Sequence, residues 1–165
     1  FNKLSVLDNV RVGSYGASKS GFLSGMLGLP GERREEKRIL EETEELLRLV
    51  DLYEKRWEFA ENLAYGEQRR LEIARALALK PALLLLDEPA AGMNSSEKAE
   101  LMDLIWKIRE EKKITILLVE HDMNLVMNIC EQIAVLNYGR KIADGTPEEV
   151  VNDEGVIQSY LGAEA

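Results

Sequence analysis

The stretch ALLLLDEP, Ala82 to Pro89, decides how the fold is read. Its apolar run is too short for a helix and is closed by a proline, so it reads as a strand. An apolar run without alternation predicts a strand buried on both faces, as in a parallel sheet covered by helices. The run ends in two adjacent acids, Asp87 and Glu88. A second run, ITILLV from Ile114 to Val119, ends in the same manner in Glu120, His121 and Asp122. Open α/β sheets collect their ligands at the carboxyl ends of the strands, where these polar residues lie.

Outward from the two strands the pattern changes to helical spacing. SSEKAELMDLIWKIREEKK follows the first, with Leu101, Leu104, Ile105 and Ile108 as its apolar stripe and Ser95 or Ser96 as its cap. EQRRLEIARALALKP precedes it, with Leu71, Ala74, Leu77 and Ala78 inward, and stops at Pro81. Further upstream, ERREEKRILEETEELLRLVDL carries Ile39, Thr43, Leu46, Leu47 and Val50 on one side. Ser5 offers a cap to a short helix with Val6, Leu7 and Val10. After the second strand come a helix, MNLVMNIC, and two strands turning at Tyr138–Gly139. A helix capped by Thr146 with Pro147 follows, then a last short helix. Strands alternating with helices predict an α/β fold with a mainly parallel sheet.

The chain has 165 residues, a formal net charge of −9 and one cysteine, Cys130. The charge gives no bulk attraction to nucleic acid, and a single cysteine excludes an internal disulfide. Cys130 reads as a small buried hydrophobe. GSYGASKSG, Gly13 to Gly21, comes close to the phosphate loop G-x-x-x-x-G-K-[ST], but Ser18 replaces the second glycine. The strand that should precede such a loop is also missing, so the stretch is expected to be a flexible entry to the helical region.

At the strand ends, Asp87 suits a Mg²⁺ site, because Mg²⁺ takes oxygen ligands and keeps its waters. Glu88 could orient or deprotonate an attacking water. A solvated strand end, or a helix cap at Asp87, accounts for the same two acids. His121 could touch a phosphate oxygen or could be structural. Gly66 stands just before a helix whose first N–H groups could receive an anion, although such a glycine is often only a cap.

Order and spacing join these residues. Gly66 precedes Asp87 by 21 residues and His121 follows it by 34. The series resembles the ATP-binding cassette (ABC) ATPase family. LAYGEQ is similar to its LSGGQ signature, LLLLDEP to its Walker B strand and catalytic glutamate, AAGMN to its D-loop, and His121 to its switch histidine. The longer stretches YGEQRRLEIARALA and ILLVEHDMNLVMNICEQIAVLNYGRKIADGTPEEV resemble most the ATP-binding subunit of branched-chain amino acid importers.

The resemblance implies an ATPase cassette with ATP and Mg²⁺ as ligands. Asp87 would hold Mg²⁺, and Glu88 and His121 would be catalytic. Ala64, Tyr65, Gly66 and Glu67 would reach a partner cassette's ATP, with Asn94 in the D-loop. It also implies a homo- or heterodimer of cassettes and docking on membrane permease subunits near residues 14–35, at the cytoplasmic face. A solute-binding protein would be an indirect partner, and nucleic acid none. Residues 14–80 would form the helical and signature region, 81–145 the strand core and 146–165 the terminal helices. Ala64 stands where the signature has serine. The family's phosphate loop, its strand and its Q-loop have no counterpart, which predicts exposed apolar surface on the sheet and no activity for these residues alone. Another ABC system, of lipopolysaccharide or non-transport type, or a non-catalytic interaction module are the other readings.

Overall fold

The computed structural model describes residues 1–17 and 30–161. Ser18, Lys19 and Ser20 of the near-phosphate loop lie outside them, as does much of the segment expected to meet a permease. The chain divides into two compact units, Phe1–Leu118 and Val119–Ala165.

The first unit opens with helix α1, Val6–Ala17. Ser5 caps it, its Oγ accepting from the Asp8 N–H at 3.0 Å. Val6, Leu7 and Val10 are buried, as their spacing predicted. Buried Asn9 donates to the carbonyls of Phe1 and Ser5, both at 3.0 Å, and so ties the first residues down. Helix α2, Pro30–Leu49, buries Ile39, Thr43, Leu46 and Leu47, and Val50 just beyond it is also buried. Helix α3, Tyr65–Leu77, buries Leu71, Ala74 and Leu77, with Ala78 immediately after.

The first part of GSYGASKSG departs from expectation. Gly13 to Ala17 are the end of α1, not a loop. The reason is close packing: a Cβ on Gly13 would stand 2.4 Å from the Arg75 carbonyl oxygen and 2.9 Å from Ala78 Cβ. Glycine lets α1 lie directly on α3.

Strand β1, Leu83–Asp87, pairs with β2, Thr115–Val119. Burial along β1 alternates, correcting the expectation of a strand covered on both faces. Leu84 is 3 % exposed and Leu85 64 %. Leu83, Leu117 and Val119 are exposed as well, so each strand leaves one apolar face open. Leu84→Ala is expected to cost about 2–5 kcal/mol and Leu85→Ala at most about 1 kcal/mol, read from urea denaturation of the two variants.

Helix α4, Ser95–Lys112, buries Leu101, Leu104, Ile105 and Ile108. Its cap is Asn94, one residue ahead of the serines expected. The Asn94 Oδ1 accepts from the N–H groups of Ser96 at 2.9 Å and Glu97 at 3.1 Å. Glu97 answers by accepting from the Asn94 N–H at 2.9 Å, completing a capping box.

The second unit holds α5 (Met123–Ile129), the antiparallel hairpin β3 (Ile133–Asn137) and β4 (Arg140–Gly145), α6 (Pro147–Val151) and the short α7 (Glu154–Val156). Tyr138 and Gly139 make the hairpin turn at φ +46° and +75°, positive at both places as the tight hairpin turn requires. Thr146 caps α6 as expected, accepting from the Glu149 N–H at 3.3 Å. Val126, Ile133, Val135, Val150 and Val156 form the core of this unit. Cys130 packs against that core but is only half-buried, and burial pushes its thiol pKa up.

Candidate functional site

The ends of β1 and the starts of α3 and α4 carry the candidate residues of the first unit. Asp87 is the last residue of β1 and its side chain is exposed. Glu88 follows, also exposed, with its backbone in the left-handed region at φ +43°. A residue with a Cβ adopts that region at a cost on the order of 1–3 kcal/mol, and such positions cluster where function holds them. The turn is closed by the Ala91 N–H donating to the Glu88 carbonyl at 3.1 Å.

The loop from Ala90 to Asn94 then leads into α4. Gly92, at φ +76°, lies beneath the ring of Tyr65: a Cβ there would be 3.5 Å from the ring. A Cβ on Gly66 would meet the Glu97 carboxylate at 3.3 Å. The expected D-loop thus comes close to the expected signature at Gly92, and the first turn of α4 comes close to it at Glu97. Tyr65 is itself held, its hydroxyl accepting from Arg69 Nη2 at 2.9 Å and Nε at 3.2 Å.

Ala64 occupies the cap position of α3 with no side-chain acceptor to offer. Serine at a cap is worth about 0.5–2 kcal/mol over alanine. Half of a capping box survives. Glu67 reaches back to accept from the Ala64 N–H at 3.1 Å. Lys55 Nζ, from the turn before α3, holds both Glu67 oxygens, at 2.7 Å and 2.9 Å. Burial pushes the Glu67 carboxyl up, but the Lys55 hydrogen bond, the Ala64 N–H and the charges of Lys55 and Arg70 outweigh it, so its pKa is lowered. Beside these groups lies a cavity of about 240 Å³ reached by Ala64, Gly66, Glu67, Arg70 and Glu97.

His121 belongs to the second unit, between β2 and the start of α5, and its ring is exposed. Its Nδ1 lies 3.8 Å from a Glu120 carboxylate oxygen. Asp122 caps α5, accepting from the Leu125 N–H at 3.3 Å. Asp87, Glu88, Asn94 and residues 64–67 share the first unit.

Asp87 fits a Mg²⁺ held mainly by water and phosphate, because one exposed strand-end carboxylate is the usual protein share of such a site. Among the described residues no group of three or more His, Cys, Asp or Glu forms a metal cage of its own. Nor is any helix among them long and apolar enough to cross a membrane.

Sequence reading missed Lys55 and Glu97. Glu97 could have been found as the third residue after a capping Asn94. Lys55 lies 12 residues from Glu67 in an aperiodic turn, and no spacing rule reaches that far.

The family model described as ABC transporter matches residues 1–91. The chain belongs to the ABC transporter family. A second model, described as branched-chain amino acid ATP-binding cassette transporter, matches residues 140–165.

Among curated proteins, the chain is 46% identical over 162 residues to the high-affinity branched-chain amino acid transport ATP-binding protein LivG of Salmonella typhimurium. It is 45% identical to LivG of Escherichia coli K12 and 44% to BraF of Pseudomonas aeruginosa. These matches take in 98% of this chain and 64% of each relative, so the chain spans just under two thirds of their length. Its fold is similar to the ADP conformation of an ATP-binding cassette of an ABC transporter, at TM-score 0.77 and 26% identity. That match covers 98% of this chain and 64% of the other. A nucleotide-free ABC cassette matches at TM-score 0.73, over 96% and 63% of the two chains.

Proposed function

We propose that the chain is part of an ATP-hydrolysing subunit that powers import of branched-chain amino acids. The observation that carries this reading is the close approach of Tyr65 to Gly92 and of Gly66 to Glu97. It joins a helix start suited to phosphate to the loop that follows the acids Asp87 and Glu88. The relatives' names and the match at residues 140–165 supply the solute class.

In this reading Asp87 holds Mg²⁺, whose charge draws electron density from the phosphates when bound. Glu88 orients the attacking water and takes its proton. His121 contacts the γ-phosphate. Ala64 to Glu67 face the ATP of a second cassette, to which Tyr65, Gly66 and Glu67 offer their N–H groups, and Asn94 fixes the loop between the two sites. The loss of the serine hydroxyl at Ala64 removes one bond, worth about 1.5–3 kcal/mol when made to a charged phosphate, and the helix start remains. Catalysis is then positioning and charge stabilisation. The partners are a second cassette and membrane permease subunits, with the protein peripheral on the cytoplasmic face and a solute-binding protein acting indirectly.

A chimera tests this. Residues 1–165 replace the matching part of Escherichia coli LivG, and leucine uptake is measured in cells lacking LivG. Restored uptake is expected. A chimera that accumulates as folded protein yet restores no uptake would sink the reading.

A further inference from the structure

We infer that Lys55 is a positioning residue whose task is to neutralise Glu67 at the phosphate-facing start of α3. The inference rests on the reading of that helix start given above. Glu67 stands where the signature that this stretch resembles has glutamine. A glutamine could accept from the Ala64 N–H as Glu67 does, and would bring no charge. The carboxylate makes the same bond at 3.1 Å. It also places a negative charge in the same first turn as the N–H groups that are to meet phosphate, and like charges repel.

The surroundings make that charge worse. Glu97 and Glu100 of α4 face the same cavity, and Arg70 already reaches Glu100 at 3.6 Å. Among the described residues lining the cavity, three are acids and one, Arg70, is a cation. Lys55 grips both Glu67 oxygens, at 2.7 Å and 2.9 Å, from outside the helix. It cancels the charge and holds the carboxylate in its bond to Ala64. Without it, Glu67 would be free to rotate toward the helix start and compete with an incoming anion.

The test uses the 165-residue chain with inorganic phosphate as probe, followed by NMR at the Gly66 and Glu67 amides. Lys55→Met is expected to weaken phosphate binding about threefold to tenfold. Adding Glu67→Gln to Lys55→Met is expected to bring the affinity back to within about twofold of the unaltered chain, since the bond to Ala64 survives and the charge is gone. A double variant no better than Lys55→Met alone overturns the inference. A pH titration of the Ala64 amide signal decides independently of phosphate. Its midpoint, which follows the Glu67 carboxyl, should rise in Lys55→Met, and an unmoved midpoint also overturns the inference. If the unaltered chain shows no phosphate shift, the anion reading of α3 fails, while the midpoint still decides for or against Lys55.

Discussion

Glu88→Gln in the LivG chimera is expected to lower ATP turnover by about 10²–10⁴-fold, the usual contribution of a positioned general base. ATP binding should change little, because the substitution keeps the side chain's length and leaves Asp87 and the start of α3 untouched. The loss therefore falls on kcat with KM nearly constant, as for an interaction made only in the transition state. The argument for Glu88 over Asp87 is geometric. Asp87 is still in β1, with its side chain committed to one face of the strand. Glu88 has left the strand at φ +43°, and the Ala91 N–H holds that turn closed at 3.1 Å. A strained position fixed by a hydrogen bond aims one side chain and keeps it aimed. Asp87→Asn should behave differently, raising the Mg²⁺ concentration needed for half-maximal turnover. Single-turnover phosphate release separates the two. If Glu88→Gln hydrolyses ATP within about threefold of the unaltered chimera, Glu88 is not the base, and His121 becomes the first candidate.

The helices were legible because their signals are local. Apolar residues at helical spacing placed Ile39, Leu47, Ala74, Leu101 and Ile108 inward, and all are buried. Thr146 and Ser5 were legible as caps for the same reason. The position of the two acids at the tip of β1 was legible because the apolar run stops at them. What failed depends on neighbours distant in sequence. The open faces of β1 and β2 could not come from the apolar runs themselves, which look the same whether covered or not. The Lys55–Glu67 pair joins a turn to a helix start through side chains alone. The helical state of Gly13 is a third instance, since three glycines and three serines in a row of nine read as loop until a packing partner is seen.

That partner makes the other large effect. Gly13→Val is expected to destabilise the first unit by about 3 kcal/mol, at the upper end of ordinary overpacking. Two terms oppose each other at this position. Replacing a helical glycine gains up to about 1 kcal/mol for alanine and less for valine, whose branched side chain is stiff in a helix. Against that, any Cβ would lie 2.4 Å from the Arg75 carbonyl oxygen and 2.9 Å from Ala78 Cβ. The first contact is with backbone of α3, which cannot swing aside as a flexible side chain can. Either α1 lifts off α3, uncovering Val10 and Ala74, or the α3 backbone bends and strains its hydrogen bonds. Both cost more than helix propensity returns. The neighbouring Gly16 supplies the control: a Cβ there would stand 3.0 Å from Leu79 Cδ2, the end of an exposed side chain that can move. Gly16→Ala should therefore be neutral or slightly stabilising, within about 1 kcal/mol. Urea denaturation followed by far-ultraviolet circular dichroism measures both. Equal stabilities for Gly13→Val and Gly16→Ala would mean that α1 does not rest on α3 as closely as the structure places it. The phosphate-loop reading of GSYGASKSG would then be open again, because the close contact at Gly13 is what commits the stretch to packing.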